Sequence, residues 1–420
     1  MEPSIDKAKS LFEQKEYQDT IIECNKILGI ESSSAIKLDA FKLIAKSLLA
    51  TKKIEDARFY LEKALQIKAD DYEVIKDLGN SYQVVGDIDN AKNYYKKALL
   101  INNFYAPVLT NLGILELNSG NKKNALSLLI QATKTEPQLA PAWWNLAKAY
   151  LKVGDLKGAE TSCREAIKIT PNLFNYHFQL AKILIQLGKQ QEAEAALRKS
   201  IALNPNNFNS HYILANIYIA KHNFQEAEKS LLKSIELNPN YCESNFLLSN
   251  IYISKNKFKE AEKLLRKAIE INPNFAEAYS DLGSTLKILG NLEEAEAFTR
   301  KAIELMPDHL EANNFLGIIL RDLKKLEEAE ISFMKSIEIN PDFYQAHLNL
   351  GITFQKQGKF LKAEESVKKA LEINPYHYEG YNLLSVILRD LNRLNEAEKY
   401  SRKSIEINPN CEKAYFNLSI

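Results

Sequence analysis

Residues 140–173 read APAWWNLAKAYLKVGDLKGAETSCREAIKITPNL, and this stretch decides the fold. Trp143, Leu146, Ala147 and Tyr150 belong to one short helix that ends at Gly154. Ala159, Cys163 and Ala166 belong to a second helix that ends before Pro171. Glycine at 154 suits the left-handed residue that closes a helix. Proline at 171 cannot continue the second helix and pre-sets the turn after it.

Working outward, the same unit recurs along the chain. Pro137, Pro171, Pro205, Pro239, Pro273, Pro307, Pro341, Pro375 and Pro409 stand 34 residues apart without a slip, and Asn103 and Ala69 continue the phase toward the N-terminus. A fixed period of this size marks a repeat architecture. With the proline at position 32, repeats begin at Leu38, Tyr72, Ala106, Ala140, Phe174, Phe208, Cys242, Ala276, Leu310, Tyr344, Tyr378 and Glu412. Leucine recurs at position 7, from Leu78 to Leu384. Position 8 is always small, as in Ala45, Gly79, Gly113 and Ala147. Position 20 is alanine from Ala57 to Ala397. Small residues at 8 and 20 let two helices approach closely. Position 15 carries Gly86, Gly120, Gly154, Gly188, Gly290 and Gly358, with Asn256 and Asn392 as substitutes.

This pattern resembles the tetratricopeptide repeat, whose signature has an aromatic at 4, Leu at 7, Gly or Ala at 8, Tyr at 11, Ala at 20 and 27 and Pro at 32. The resemblance covers essentially the whole chain. It implies an all-α fold: a right-handed superhelical α-solenoid of about twelve 34-residue helix-turn-helix repeats plus a partial thirteenth. First helices would line the concave side and second helices the convex side, and stacked neighbours would bury one continuous core. The expected organisation is a single domain over 1–420, with a degenerate first repeat at 1–37, eleven in-phase repeats at 38–411 and a partial repeat at 412–420. Ser4, Lys7 and Thr20 break the pattern in the first repeat, which also carries extra residues near Glu31–Ser34 and is expected to cap that end.

Composition narrows the function. Charged residues make up 26% and net charge is +1, so no whole-chain basic field calls for nucleic acid. No apolar run approaches the roughly 18 residues of a membrane span, and the opening MEPSIDKAKSLFEQKEY has no apolar core of a signal peptide. Cys24, Cys163, Cys242 and Cys411 have no paired spacing; buried reduced thiols and a cytoplasmic location are the expectation. His177, His211 and His347 share position 4 but lack further ligands at metal-binding spacing, so no metal or cofactor is expected. No phosphate loop, dinucleotide fingerprint or hydrolase motif is present. The chain is therefore read as not itself an enzyme.

The resemblance places positions 2, 5, 6, 9, 12 and 13 of the first helices on the groove. Position 5 is aromatic in four consecutive repeats: Trp144, Phe178, Tyr212 and Phe246. Elsewhere it is mostly polar, as in Lys42, Lys76, Thr110, Ser280, Asn314 and Asn382. Position 9 adds Lys148, Lys182, Asn216 and Asn250, and position 6 adds Asn111 and Asn145. Aromatic anchors with a polar edge suit a partner-binding groove. The competing reading is that these aromatics have moved one place and fill the core, since position 4 beside them is often not aromatic: His177, His211, Asn245. Both readings stand at this point.

Two narrower likenesses follow from the family. Repeats that grip a C-terminal carboxylate use Lys at 5 and Asn at 9, Asn at 6 of the next repeat and two basic residues in the third. Lys76, Asn80 and Asn111 match, whereas Pro141 and Asn145 do not. The repeat arm of protein O-linked N-acetylglucosamine transferases carries an asparagine ladder, which Asn111, Asn145 and Gln179 follow before Ile213 and Leu247 break it and Asn349 and Asn417 resume it. The expected function is a protein–protein interaction scaffold holding a peptide or helical segment of a partner, with no nucleic-acid partner and no membrane insertion. The alternative is the substrate-recruiting arm of a larger, glycosyltransferase-like enzyme with its catalytic domain beyond Ile420, because Tyr415, Phe416, Leu418 and Ile420 would lie at an uncapped end.

Overall fold

The structure is a computed structural model that describes residues 4–30 and 32–418. The expectations that touch Glu31 and Ile420 lie outside the described residues. The fold is an all-α repeat solenoid, with two compact units that meet at Pro205 and Asn206 in the chain.

The first unit holds α1 (Ile5–Glu13), α2 (Tyr17–Leu28), α3 (Ser34–Ala50), α4 (Ile54–Ile67), α5 (Tyr72–Val84) and α6 (Ile88–Ile101). It continues with α7 (Ala106–Asn118), α8 (Lys122–Thr135), α9 (Ala140–Val153), α10 (Leu156–Ile169), α11 (Phe174–Gln186) and α12 (Gln190–Leu203). The second unit holds α13 (Phe208–Ala220), α14 (Phe224–Leu237), α15 (Cys242–Ser254), α16 (Phe258–Ile271), α17 (Ala276–Ile288) and α18 (Leu292–Leu305). After them come α19 (Leu310–Asp322), α20 (Leu326–Ile339), α21 (Tyr344–Lys356), α22 (Phe360–Ile373), α23 (Tyr378–Asp390), α24 (Leu394–Ile407) and α25 (Glu412–Leu418). Odd-numbered helices are the first of each pair and even-numbered helices the second.

The turn inside each pair has one design. The N–H of position 16 reaches back to the carbonyl of position 11, as from Asp155 to Tyr150 at 3.0 Å and from Lys325 to Leu320 at 2.8 Å. This is the six-to-one bond of a Schellman close, and it needs a left-handed residue at position 15. The glycines there have φ between 73° and 89° (Gly188 and Gly290). Lys52, His222, Asn256, Lys324 and Asn392 adopt the same region with φ of 55–63°. Three of these, Lys52, His222 and Lys324, lie beyond what the Gly-or-Asn pattern anticipates: the backbone bonds impose the conformation on side chains that resist it.

Many of the turns between pairs carry asparagine at position 31, as at Asn272 and Asn340. Proline at 32 has no N–H to give, and the Asn side chain accepts instead from position 33: Asn272 Oδ1 from Asn274 at 3.1 Å, Asn340 Oδ1 from Asp342 at 3.0 Å. With or without that asparagine, the proline carbonyl can be taken by position 4 of the next helix. Trp143 Nε1 donates to Pro137 at 2.9 Å and Asn313 Nδ2 to Pro307 at 3.1 Å. His177 and His347 place Nε2 at 2.8 Å and 2.9 Å from Pro171 and Pro341. These imidazoles are buried turn locks.

The core runs between the helices of each pair. Ala147, Ala159 and Ala166 are fully buried. Cys24 and Cys163 fill position 24 with no exposure, and burial pushes both thiols up to about 12. All four cysteines are free and buried. Several second helices are each tied by an ion pair to the turn inside the next repeat. Glu160 binds Lys189 at 2.8 Å in the first unit; in the second, Glu228 binds Lys255 at 2.6 Å, Glu296 Lys325 at 2.7 Å and Glu330 Lys359 at 2.9 Å. Glutamates of the second helices are thus stitches between repeats as well as part of a solvated surface. At the start of the chain Ser4 caps α1, and Lys7 reaches the buried Glu23 at 3.0 Å, an ion pair where other repeats have leucine.

Candidate functional site

Position 5 of a first helix meets position 34 of its own repeat, 29 residues on, where the chain enters the next first helix. Lys42 Nζ lies 3.1 Å from Asp71 and 2.8 Å from Glu73. Lys76 Nζ lies 5.9 Å from the ring centre of Tyr105. In the second unit Tyr212 meets Tyr241 at 5.0 Å and Phe246 meets Phe275 at 4.8 Å. Trp144 follows a variant of the rule and stacks on Tyr176 of α11 at 4.5 Å. Trp144, Phe178, Tyr212 and Phe246 are all half-buried. Trp144, Tyr212 and Phe246 each have one part in a repeat junction and one part in solvent.

In the first unit the polar residues fall into two groups. The first group is satisfied internally. Lys76 is 3.1 Å from Asp77, Asn80 Nδ2 donates to Asp77, and Asn111 Nδ2 donates to Asn80 Oδ1 at 2.9 Å. Tyr95, fully buried, donates its hydroxyl toward Asn80 Oδ1 at 2.8 Å and Gln83 Oε1 at 2.6 Å. Burial works against the Lys76 ammonium, but Asp77 and Tyr105 together more than offset it and the pKa stands above the ordinary lysine value. The carboxylate-clamp constellation is therefore occupied by its own neighbours. Asn145 is buried and spends its amide N–H on the Pro141 carbonyl at 2.8 Å.

The second group is not neutralised. Lys148 Nζ lies 5.0 Å from the Trp144 ring centre, and Lys182 Nζ lies 6.0 Å from that of Phe178. Neither ammonium has a carboxylate partner among the described residues. Burial holds the Lys148 pKa below the ordinary lysine value. Both side chains are exposed enough to reach a ligand.

In the second unit Asn216 Nδ2 donates to the Tyr212 carbonyl at 3.0 Å, beside the ring it flanks. Asn250 is half-buried one repeat further on. A cleft of about 710 Å³ opens between α21, α23 and α25. Its walls include Gln345, Leu348, Asn349, Ile352, Asn382 and Val386, which stand at positions 2, 5, 6 and 9 of their repeats. Asn349 Nδ2 donates to Asn314 Oδ1 at 3.2 Å and Asn417 Nδ2 to Asn382 Oδ1 at 2.8 Å, so a position-6 amide reaches the position-5 amide of the preceding repeat. Sequence reading passed over this cleft because its lining is amide and aliphatic. The recurrence of Asn at positions 5 and 6 was the available signal. Between α17 and α19, burial pushes the Asp281 carboxyl up to about 6, with Glu277 and Glu311 adding to the effect.

A family model described as the C-terminal domain of cilia and flagella-associated protein 70 matches residues 35–281. Tetratricopeptide-repeat models match residues 276–309, 310–343, 344–377 and 378–411. No curated protein matches the chain in sequence. Among solved structures, the Cut9–Hcn1 hetero-tetramer of the APC/C is similar at 13% identity and a TM-score of 0.51, covering 98% of this chain and 94% of that one. YrrB, described as a TPR protein with an unusual peptide-binding site, is 26% identical at a TM-score of 0.40, with 44% of this chain and 95% of that chain covered. PilF of Pseudomonas aeruginosa is 18% identical at a TM-score of 0.46, with 50% and 96% covered. The Cut9–Hcn1 likeness is one of fold. Among the described residues no helix is long and apolar enough to cross a membrane.

Proposed function

Because the chain belongs to the tetratricopeptide-repeat family, in the group of the cilia and flagella-associated protein 70 C-terminal domain, we propose that it is a non-enzymatic scaffold that holds a peptide or helical segment of a partner protein against its first helices. Proteins of this repeat family are generally protein-interaction scaffolds. Trp144 and Phe178 are the anchors in the first unit, with Lys148 and Lys182 beside them. Tyr212 and Phe246 are the anchors in the second, with Asn216 and Asn250. Asn111 and Asn145 add amides to the first-helix face, chiefly by holding their neighbours in place.

The observation that carries this reading is the half-burial of the four aromatics. A core residue would be covered on every side, and a surface ring would have no fixed orientation. A ring seated in a repeat junction, with one part left open, is pre-oriented and loses little freedom when a partner covers it. Aromatic side chains of this kind dominate interface energetics.

The test is selection of a random dodecapeptide library on the full chain. Peptides should be enriched, and their capture should be lost when Trp144, Phe178, Tyr212 and Phe246 are all replaced by alanine, with helix content by circular dichroism unchanged. Capture that survives the fourfold replacement removes these residues from the site.

A further inference from the structure

We propose that the face formed by α9 and α11 takes an acidic, extended segment of a partner protein, whose carboxylates meet Lys148 and Lys182 while an apolar side chain covers Trp144 and Phe178. The inference rests on the scaffold reading above and names the chemistry of its partner in the first unit.

In the in-phase repeats, positions 5 and 9 carry Lys42, Lys46, Lys76, Lys148 and Lys182. Lys42 is held by Asp71 and Glu73 and Lys76 by Asp77, and Lys46 lies within the field of Glu73. Lys148 and Lys182 have only an aromatic ring beneath them. The contrast follows from local composition. Neither α9, APAWWNLAKAYLKV, nor α11, FNYHFQLAKILIQ, contains an acidic residue, while together they carry Lys148, Lys152 and Lys182. The second helices of the same repeats behave oppositely, since Arg164 binds Glu160 and Glu192, and Lys189 binds Glu160. These second helices supply acids to their own cations, whereas α9 and α11 offer none to Lys148 and Lys182.

An unpaired ammonium that is partly desolvated gains from an added anion, and burial already disfavours the charge on Lys148. The underlying ring favours the cation and holds it in position. Lysines one repeat apart on helices joined by the Trp144–Tyr176 stack face carboxylates spaced along a strand-like segment. The expected segment has Asp or Glu on either side of an apolar residue.

The dodecapeptide selection on the full chain tests this directly. The enriched peptides should be rich in Asp and Glu. Binding of a synthetic copy should change the fluorescence of Trp143 and Trp144, which are the only tryptophans of the sequence and both lie in α9. The pair Lys148→Gln and Lys182→Gln should weaken that binding by about tenfold. Added salt should weaken the unaltered protein more than the double variant. Replacement of Lys42 and Lys76 by Gln should leave affinity within about twofold, because these are internally paired. Enrichment of neutral or basic peptides, or acidic peptides that bind the double variant as well as the unaltered chain, overturns the acidic assignment and leaves the scaffold reading intact. Failure to enrich any peptide overturns both. Equal binding of an anionic polymer without apolar groups, such as polyaspartate, would show charge attraction alone and also overturns the proposal.

Discussion

The ring of Tyr95 occupies the space that a Cβ on Gly79 would need, with Cε1 only 2.5 Å from that point. The same exclusion links Gly317 to Phe333 at 2.6 Å. Where position 24 is aromatic, position 8 is glycine. Where position 8 is alanine, as at Ala147 and Ala181, position 24 holds Cys163 or Leu197. The two positions share one volume between the helices of a pair.

Gly79→Ala should therefore destabilise the α5–α6 pair by about 1–3 kcal/mol through overpacking. Adding Tyr95→Leu should restore part of that loss, since Ala with Leu is a pairing the chain already uses. The hydroxyl of Tyr95 that supports Asn80 is then missing, so recovery will be incomplete. Hydrogen exchange of α5 and α6 in the full chain measures this, because a repeat stack need not unfold in one step. Equal protection in the unaltered protein and Gly79→Ala would show that the ring moves aside without cost.

Lys324 holds φ at 63° to close α19. A side chain in that region costs about 1–2 kcal/mol, against roughly 0.5–1 kcal/mol for the extra freedom a glycine loses on folding. Lys324→Gly should thus stabilise the α19–α20 pair by about 0.5–1 kcal/mol. Slower exchange at the amides of Leu323 and Lys325 is the expected readout, and faster exchange would mean the lysine side chain has a stabilising contact of its own.

The helix pairs and their turns were legible because proline, glycine and alanine act within a single repeat. The left-handed lysines were not, since no residue type at Lys52 or Lys324 advertises the conformation that the backbone bonds demand. Position 5 stayed ambiguous between groove and core for a different reason. Its partner lies 29 residues away, at Tyr241 for Tyr212 and Phe275 for Phe246, beyond the reach of helical periodicity. The unpaired state of Lys148 and Lys182 was likewise visible only once the paired state of Lys42 and Lys76 stood beside it.

Glu296 accepts from Arg300 at 2.9 Å and Lys325 at 2.7 Å, and its carboxylate is largely covered. Burial raises its pKa, yet the two cations prevail and hold it below the ordinary carboxylate value. Glu228 and Glu364 are lowered in the same way. A depressed folded pKa gives stability that is present above the unfolded pKa and lost as pH falls through the folded one. Stability from these stitches should hold from neutral pH down to about 4.5 and decline below it. Glu296→Gln should cost about 1 kcal/mol at neutral pH, localised to α18 and α20, and the cost should vanish in acid. A loss that persists in acid would point to packing instead of charge.

Asp281 titrates in the opposite sense. It is half-buried on α17, burial pushes its carboxyl up to about 6, and the nearby Glu277 and Glu311 add repulsion. No cation is paired with it among the described residues. A raised carboxylate pKa means the folded chain binds more protons than the unfolded chain between about pH 4 and 6. The charged form is thus a burden on the fold, fully present above pH 6 and relieved as pH falls toward about 4. Asp281→Asn removes the charge and keeps the shape. It should stabilise α17 by about 1–3 kcal/mol at neutral pH and change little near pH 4. The measurement is the difference in hydrogen-exchange protection of α17 and α18 between variant and unaltered protein across that range. A difference that stays constant with pH would show that the carboxylate is hydrated and that its two acidic neighbours lie too far away to matter. A gain confined to pH above 6 would show that the fold tolerates an uncompensated acid on the α17 face, as it tolerates uncompensated lysines on α9 and α11.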